Sequence, residues 1–485
     1  MHTGNILRML ALLSLLLSLF MIPCATVAAF SGEYEVLFSF IKSIAVMLPP
    51  SSLILLLTRK SHMEKLSVRD GFFFVFLAWF SISLFASLPF YLSGSLPTWA
   101  DAFFEASSGI STTGATVMND IDTAPASILL WRSITHWIGG MGIVMLSVAL
   151  LPLLGIGGMQ LVRAETSGVD DKKMTPRITQ TAKYLWLIYT GFTAAVFLLM
   201  KLGGMDTFSA VNHAFSSIAS GGFSTKNASL GYYGSAYFDW VAIGAMCVAG
   251  ISFALYYKLF TGNIKAVFHN TELKAYLTII IAAGFIIALI NYRHGVYTDP
   301  NTCIRYSFFQ VVSFASSTGY TTADYTLWPG LSQFILLGLF FIGGCAGSTA
   351  GGFKVIRIVI LTKQTLIELR RLVHRRGVFR LRINGASVNK EIVYSVSGFL
   401  FLYLFSIIAV TGVAASADMD IVTAFSTGIS LMGNIGPGFG DVGPATTYAL
   451  YPGYVKWVLG VAMLVGRLEI YTFFILLTPY FWKRL

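Results

Sequence analysis

The chain has 485 residues, of which 55% are hydrophobic and 11% are charged, and its mean hydropathy is +0.72. Soluble domains carry roughly 25% charged residues, so the composition indicates a polytopic membrane protein and excludes an ordinary soluble domain. The formal net charge of +11 also fits nucleic-acid binding, but basic cytoplasmic loops explain it better in a membrane protein, and we predict no nucleic-acid partner.

The chain begins with two apolar runs, at residues 5–30 and 36–57, followed by a basic stretch at residues 59–69. The first run ends in Ala-Thr-Val-Ala-Ala and therefore also fits a cleaved signal peptide. We favour an uncleaved helix. The two runs then predict an extra helix pair, residues 1–70, that lies outside the repeats of the remaining chain.

The remaining chain contains a glycine-centred stretch four times, at Gly114, Gly222, Gly319 and Gly436, with spacings of 108, 97 and 117 residues. Recurrence near one period indicates a repeat architecture. A serine stands six residues before each glycine and a small residue twelve before it. The serines are Ser108, Ser216, Ser313 and Ser430, and the small residues are Ala102, Ala210, Ser307 and Ala424. Four copies in register argue against ordinary surface loops, the simplest reading of Gly-Ser-Thr clusters.

Each glycine stretch follows a short apolar segment and precedes a long one. A membrane span needs about 20 apolar residues, whereas 10–14 indicate a re-entrant segment. The short segments lie at residues 100–111, 207–219, 303–316 and 420–432, and the spans at 71–93, 127–155, 183–203, 237–260, 275–292, 331–362, 392–414 and 453–482. With the N-terminal pair, this pattern predicts ten spanning helices and four half-helices. We place the repeats at residues 71–182, 183–274, 275–390 and 391–485.

Charged residues are segregated along the chain. Residues 94–125 and 415–455 contain acids but no Lys or Arg, whereas the loops at 161–183 and 363–390 are basic. The positive-inside rule therefore predicts that the basic loops and both termini are cytoplasmic and that the glycine stretches lie near the outer side. Because every repeat contains two spans, all four share one orientation and can surround one pseudo-fourfold axis.

Irregular backbone at membrane depth must be buried in protein or line a water-filled cavity. Four glycine stretches around one axis predict a ring of carbonyl oxygens, the arrangement that replaces the hydration shell of a cation. Glycine permits the backbone angles that aim carbonyls at the axis, and the half-helices would direct their negative dipole ends to the same place. We expect the side chains of Thr112, Ser220, Ser317 and Asn434 to brace the ring.

Four stretches carry a family resemblance: Thr-Thr-Gly-Ala-Thr-Val at 112–117, the glycine-rich run at 343–354, Asn-Ile-Gly-Pro-Gly at 434–438 and Gly-Arg-Leu-Glu at 466–469. The chain resembles TrkH-type potassium uptake proteins of the Trk/Ktr/HKT superfamily over nearly its whole length. The resemblance implies an all-α integral membrane protein with four covalently linked helix–pore loop–helix repeats around a pseudo-fourfold pore, plus the N-terminal helix pair. Serine at the first filter glycine is associated with sodium transport in plant relatives, so Gly114 implies potassium.

The resemblance also implies which groups hold the transported K⁺, with no covalent cofactor. They would be the backbone carbonyls beside the filter glycines, those of Thr112, Thr113, Ser220, Gly221, Ser317, Thr318, Asn434 and Ile435. It further implies a homodimer in the bacterial inner membrane, each subunit having its own pore. A cytosolic, nucleotide-binding TrkA-type regulatory subunit would dock on the cytoplasmic loops. The loop 363–390 also fits binding to anionic lipid.

The second span of repeat 3 is interrupted by small residues. They are Gly343, Gly344, Gly347, Ser348, Gly351 and Gly352. Each glycine costs a helix roughly 1 kcal/mol relative to alanine, so we predict a break, although small residues also form helix-packing faces. The resemblance places an intramembrane gate here. Lys354 either closes the segment or extends to the cytoplasmic interface.

Four further charged or titratable residues lie in apolar surroundings. Arg467 lies within the last span, where it either pairs with Glu469 or carbonyls or projects into the pore, as the resemblance implies. Glu105 in the first half-helix is either a structural brace or part of an outer field that attracts cations. His136 and His213 have no second ligand at metal spacing, and we interpret them as packing residues.

These patterns favour channel-like potassium uptake over two alternatives. A proton- or sodium-coupled symporter needs titratable groups at membrane depth, and the spans contain few acids apart from Glu469. A lipid-modifying membrane enzyme needs a cluster of acids, histidines or nucleophiles, which the sequence lacks. The four cysteines have neither CxxC nor metal-ligand spacing and predict no disulfide or zinc framework.

Overall fold

The computed structural model describes residues 3–58, 67–142 and 178–483, and helices make up most of them. The N-terminal pair consists of α1 (Thr3–Phe30) and α2 (Tyr34–Leu57), as predicted. Helix α1 contacts both α2 and the first repeat, and its residues Met21 and Cys24 are fully buried. In the turn between the two helices, the Glu33 carboxylate accepts a hydrogen bond of 2.8 Å from the backbone N–H of Ala126. The pair is therefore part of the packed fold.

Each repeat runs from a first span through a short pore helix and a glycine stretch to a second span. Repeat 1 contains α3 (Val68–Ala86), α4 (Leu88–Leu92), α5 (Trp99–Ile110) and α6 (Ala126–Met141). Repeat 2 contains α7 (Ile178–Leu202), α8 (Thr207–Ile218), α9 (Ala236–Ala249), α10 (Phe253–Phe260) and α11 (Ile264–Phe268). Repeat 3 contains α12 (Thr271–Arg293), α13 (Pro300–Ala315), α14 (Gly330–Ile342) and α15 (Val355–Val373). Repeat 4 contains α16 (Lys390–Ala415), α17 (Ile421–Gly433), α18 (Gly453–Arg467), α19 (Tyr471–Leu477) and α20 (Pro479–Trp482).

Six of the described helices or continuous helix pairs are long and apolar enough to cross a membrane: α1, α2, α3 with α4, α7, α12 and α16. Two further spans are bent, by 92° between α9 and α10 and by 116° between α18 and α19. The spans predicted at 237–260 and 453–482 are therefore each interrupted by a bend. At the first break, the carbonyls of Ala249 and Gly250 accept hydrogen bonds from Thr349 and Cys345 of repeat 3. At the second, Glu469 has a φ of 54° and pairs with Arg357.

The predicted break in repeat 3 is present, because α14 ends at Ile342 and α15 begins only at Val355. The predicted span 127–155 lies within the described residues only as far as residue 142. Since α6 and α14 are short in the described residues, the total of ten spanning helices stays a prediction. Most of the basic loop 161–183 and of the basic stretch 59–69 also lies outside the described residues.

The four short segments form the pore helices α5, α8, α13 and α17, as predicted. The small residue twelve before each glycine is fully buried in all four: Ala102, Ala210, Ser307 and Ala424. Each pore helix starts at a side chain that accepts backbone N–H groups of the first turn, which satisfies part of the helix end. These caps are Thr98, Asp206, Asp299 and Asp420.

Buried ion pairs join pore helices to second spans of the preceding repeat. Lys456 of α18 donates to Asp101 of α5 at 2.6 Å, with 9% and 7% of their side chains exposed. Arg305 of α13 pairs with Asp239 of α9 at 3.1 Å. The Asp101 carboxylate is thus paired inside the protein and is not an exposed charge.

The Asp101–Lys456 pair yields a stability prediction. Asp101→Asn should destabilise the protein by about 3–5 kcal/mol, because an unpaired Lys456 ammonium would remain buried. Thermal unfolding of the detergent-solubilised protein measures the effect. Glu368→Gln is the control, since it removes an exposed i,i+3 pair with Arg371 and should change the melting temperature little. Equal shifts in the two variants would contradict the assignment.

A two-stranded hairpin interrupts the basic loop 363–390. Strands β1 (Arg382–Ile383) and β2 (Ala386–Ser387) are antiparallel. The turn residues Asn384 and Gly385 have φ values of 50° and 81°, as a tight Asn-Gly hairpin turn requires. The Asn384 side chain accepts a hydrogen bond of 2.8 Å from the backbone N–H of Thr271. The hairpin is therefore attached to the start of α12.

Candidate functional site

All four pore helices end in the same backbone motif. The residue two before each glycine is left-handed, with φ of 52–56° at Thr112, Ser220, Ser317 and Asn434. The N–H of the next residue donates to the carbonyl of the serine six before the glycine, at 2.8–3.0 Å in every copy. These bonds form a Schellman helix end. The serines that recur six residues before each glycine therefore mark the position at which each pore helix ends.

The glycines form a closed ring. We call residues 112–114, 220–222, 317–319 and 434–436 the glycine segments. A Cβ added to any of the four glycines would lie closer than 3.0 Å to the carbonyl oxygen of the central residue of the next repeat. The pairs are Gly114 with Gly221, Gly222 with Thr318, Gly319 with Ile435, and Gly436 with Thr113. The last pair returns to repeat 1, so the four segments surround one axis in chain order.

The first two carbonyls of each glycine segment differ from the other backbone groups around them. None of these eight, those of Thr112, Thr113, Ser220, Gly221, Ser317, Thr318, Asn434 and Ile435, accepts a hydrogen bond from the part of the chain that the structure describes. Buried carbonyls normally have a partner. The glycine segments therefore leave eight oxygen acceptors available to a cation.

Three of the four predicted side-chain braces are present. Ser220 Oγ lies 2.7 Å from Thr349 Oγ1, Ser317 Oγ accepts the N–H of Gly351 at 2.6 Å, and Asn434 Nδ2 donates to Thr113 Oγ1 at 2.9 Å. The Thr112 hydroxyl is buried and has no hydrogen-bond partner among the described residues, so that brace is absent. Two braces therefore connect the glycine segments to the broken span of repeat 3.

That broken span forms a loop, residues 343–354, which we call the repeat-3 loop. Gly343, Gly347, Gly352 and Lys354 all have positive φ, between 72° and 81°. The loop bonds to repeat 2 through Cys345 N–H and Gly250 O at 2.9 Å. At its other end, a Cβ on Gly351 would meet the carbonyl of Gly433 and the side chain of Asn434. The loop thus crosses directly behind the glycine segments of repeats 2, 3 and 4.

Both ends of the repeat-3 loop are held by one carboxylate that sequence reasoning missed. Glu272 at the start of α12 accepts the N–H of Ala346 at 2.7 Å and that of Ile356 at 3.2 Å. Lys354 is 9% exposed and donates to the carbonyl of Ala350 inside the loop. Its side chain therefore does not extend to an interface. Nothing in the spacing of Glu272 distinguishes it from an ordinary first-turn acid of a helix.

Arg467 connects the loop to repeat 1. Its guanidinium donates to the carbonyls of Thr349 at 2.7 Å, Gly139 at 3.0 Å and Gly140 at 3.3 Å. The predicted tie to carbonyls is therefore present. Glu469 pairs with Arg357 at 2.5 Å. The loop therefore contacts the glycine segments of repeats 2, 3 and 4, and Arg467 links it to α6 of repeat 1.

Comparison with known proteins agrees with this geometry. The cation transport protein family TrkH matches residues 37–483. The chain is 41% identical to the Trk system potassium uptake protein TrkH of Vibrio parahaemolyticus and 39% identical to that of Escherichia coli K12, and each match covers 100% of both chains. The crystal structure of the potassium transporter TrkH from Vibrio parahaemolyticus matches with a TM-score of 0.88 at 37% identity, again over 100% of both chains.

The chain belongs to the TrkH family of cation transport proteins. Its fold is the one that the resemblance implied: an all-α integral membrane protein with four helix–pore loop–helix repeats around one pseudo-fourfold axis and an N-terminal helix pair.

In this TrkH-family fold, Glu105 is a brace. It is fully buried, pairs with Arg132 at 2.8 Å and accepts the N–H of Val117 at 2.9 Å. Sequence reasoning missed Arg132. A basic residue inside the apolar run 127–155, opposite a lone acid, was the available signal.

The two histidines behave as packing residues. His136 stacks on Phe223 with ring centroids 4.0 Å apart, and its Nδ1 lies 3.2 Å from Ser216 Oγ. His213 bonds to Ser209 O and Ser224 Oγ. Among the residues that the structure describes, no group of three or more His, Cys, Asp or Glu is placed to hold a metal.

Two exposed acids lie outside the spans: Asp120, in the loop between Gly114 and α6, and Asp420, at the start of α17. A hydrogen bond from the Thr123 hydroxyl lowers the pKa of Asp120, and one from the Thr423 hydroxyl lowers the pKa of Asp420. Both carboxylates are therefore ionised at neutral pH and supply negative charge at this end of the pore axis.

The glycine ring yields a second prediction. Gly222→Ala should destabilise the protein strongly, because its φ of 77° and the neighbouring Thr318 carbonyl both oppose a Cβ. Gly234→Ala is the matched control: its φ is 55°, but no atom lies within 4 Å of the added Cβ. It keeps only the left-handed penalty of about 1–2 kcal/mol. Yield of monodisperse protein and melting temperature report the difference, and equal losses would show that the ring is not tightly packed.

Proposed function

We propose that the chain mediates potassium uptake through a channel-like pore whose selectivity filter is the ring of glycine segments. The observation that supports this most directly is the set of eight unpartnered carbonyls on a closed ring, at the ends of four pore helices. Carbonyl rings of this kind replace the hydration shell of potassium, and helix C-termini add negative potential. The relatives named above are potassium uptake proteins.

The repeat-3 loop, with Arg467, is the proposed gate. The loop lies directly behind three glycine segments, through Ser220, Ser317 and Asn434. Its glycines at positive φ allow rearrangement, whereas Glu272 and Arg467 hold it by hydrogen bonds to backbone. An arginine charge near the axis raises the barrier for a cation. Opening then requires the loop and Arg467 to release these bonds.

The remaining elements of the proposal follow the charge pattern and the family. The chain lies in a bacterial inner membrane with both termini cytoplasmic, since the basic loops mark the inner side. It acts as a homodimer with a TrkA-type cytosolic subunit. That subunit would dock on the basic loop 363–390, whose hairpin is attached to Thr271, next to Glu272. Partner docking can thereby reach the repeat-3 loop.

The membrane potential alone can drive potassium uptake, since moving one charge across 100 mV releases about 2.3 kcal/mol. A proton- or sodium-coupled symporter is the second candidate. Glu272 favours the symporter, because a buried carboxylate that contacts the proposed gate is a titratable group of the kind that coupling needs. A lipid-modifying enzyme is a remote third candidate, because the described residues contain no cluster of acids, histidines or nucleophiles that supports it. We propose a non-enzymatic role.

Flux measurements test the proposal. Purified chain in proteoliposomes, held at a set membrane voltage, should take up rubidium or potassium without a proton or sodium gradient. Gly436→Ser should reduce potassium preference, because a side chain at φ 101° beside the Thr113 carbonyl displaces the ring. Gly234→Ser, in open space, is the control. Uptake that requires a proton or sodium gradient would favour the symporter.

Arg467→Ala should increase potassium flux at equal protein content. The substitution removes three hydrogen bonds to carbonyls that hold the loop and one positive charge. Arg293→Ala, which removes an exposed charge at the end of α12, should leave flux unchanged. Unchanged or lower flux in Arg467→Ala would count against the gate. If the unmodified chain is silent, flux in Arg467→Ala indicates a closed gate, and silence in both indicates a wrong assignment.

A further inference from the structure

A second ring of hydrogen bonds surrounds the glycine ring, two residues beyond each glycine. The carbonyls at this position belong to Thr116, Ser224, Thr321 and Gly438. Every one accepts a hydrogen bond from the preceding repeat. The donors are Tyr448 N–H to Thr116 at 2.8 Å, Arg132 Nη1 to Ser224 at 3.2 Å, Gly231 N–H to Thr321 at 3.1 Å and Tyr325 hydroxyl to Gly438 at 2.6 Å. Repeats 4, 1, 2 and 3 thus bond to repeats 1, 2, 3 and 4 and close a collar around the axis.

The collar carbonyls accept hydrogen bonds within the described part of the chain, whereas the eight open carbonyls do not. The carbonyls one and two residues before each glycine have no described protein donor, whereas every collar carbonyl has one. Only two residues lie between the two sets along each segment. Because the backbone between them is short, the collar fixes where the open carbonyls begin, and it sets how far apart neighbouring segments stand.

Behind the collar, each pore helix has a buried polar residue nine positions before its glycine. These residues are Glu105, His213, Gln310 and Thr427, and all are fully buried. In repeats 1 and 2 they hold the collar residue itself: Glu105 accepts from the Thr116 hydroxyl at 3.0 Å, and His213 Nε2 lies 3.0 Å from Ser224 Oγ. Glu105 is the charged member of this set.

Arg132 joins the first two of these supports. Its Nε donates to Glu105 at 2.8 Å, its Nη2 donates to Thr116 Oγ1 at 3.2 Å, and its Nη1 donates to Ser224 O at 3.2 Å. The guanidinium also lies over the Phe223 ring at 4.0 Å from the centroid. One planar group thereby holds the collar residues of two neighbouring repeats. The other three collar donors are backbone groups or a tyrosine hydroxyl.

We propose that Arg132, oriented by Glu105, is a positioning residue that sets the spacing between the glycine segments of repeats 1 and 2 and thereby the preference for potassium over sodium. The inference rests on the proposed function, since it assumes that the glycine ring selects the ion. A rigid, planar guanidinium can bond in three fixed directions at once. A lysine ammonium keeps the charge beside Glu105 but cannot hold Glu105, Thr116 and Ser224 together in this geometry.

Arg132→Lys tests the proposal in proteoliposomes that contain the full chain, with uptake of radioactive rubidium and sodium measured in parallel. The rubidium-over-sodium ratio should fall by about tenfold, the size that corresponds to one lost hydrogen bond to a charged group. Asp101→Asn is the matched control. It breaks another buried ion pair of the same pore helix, that with Lys456, one helical turn before Glu105; the Asp101 side chain bonds to Thr98 and Lys456 and to none of the collar residues. It should lower the melting temperature and leave the ratio unchanged.

A second variant keeps the test decisive if Arg132→Lys does not fold. Glu105→Gln combined with Arg132→Gln leaves no buried charge unpaired but still removes the three-way link, so the ratio should fall here too. A folded variant of either kind with an unchanged ratio would overturn the proposal. A fall of the same size in Asp101→Asn would also overturn it, because general loosening would then explain the effect.

The unmodified chain and Gly436→Ser separate failure of this inference from failure of the proposed function. If the unmodified chain prefers rubidium and Gly436→Ser reduces that preference, an unchanged ratio in the Arg132 variants refutes only the role of Arg132. If the unmodified chain shows no preference, or Gly436→Ser does not alter it, the filter proposal fails and the role of Arg132 fails with it.

Discussion

Backbone carbonyls inside a membrane protein need hydrogen-bond donors, and this requirement explains much of the fold. The eight open carbonyls of the glycine segments are the exception. Water is absent from the hydrocarbon region, so an unpaired buried carbonyl is costly. The eight open carbonyls of the glycine segments lie next to backbone groups that are paired in the Schellman ends of the pore helices, in the collar and in the repeat-3 loop. A cation is the natural partner for such oxygens. Because these backbone donors are already paired, they do not bond to the open carbonyls.

The two sides of the ring are built differently, and in the proposed function this difference separates ion selection from pore opening. On one side, the four collar bonds are 2.6–3.2 Å long and the Glu105–Arg132 pair is fully buried. On the opposite side, the repeat-3 loop is held by hydrogen bonds to Glu272, Arg467 and repeat 2, and four of its residues, three of them glycines, have positive φ. Glycine changes its backbone conformation more readily than other residues. Movement is therefore expected at the loop and rigidity at the collar.

Sequence reasoning predicted the repeats, the pore helices and the break in repeat 3, because each depends on local signals: apolar length, a serine register and a cluster of glycines. It missed the bends at Gly250 and at Leu468–Ile470, since both arise from contacts with repeat 3 that no local pattern records. It also missed Arg132 and Glu272, and counted Asp101 as an outer charge. The role of a buried charged residue depends on a partner far away in the sequence, such as Lys456 for Asp101. Local residue spacing does not indicate that partner.

The repeat-3 loop has a consequence for symmetry. A ring of four identical subunits would contain four copies of this loop, and four copies could not fit at one axis. In the proposed function, linking the four repeats in a single chain lets repeat 3 contribute the gate loop and repeat 4 contribute Arg467, which bonds to that loop. It also means that a substitution at a residue of the ring alters only one quarter of it. Under that proposal, ion preference can change in small increments.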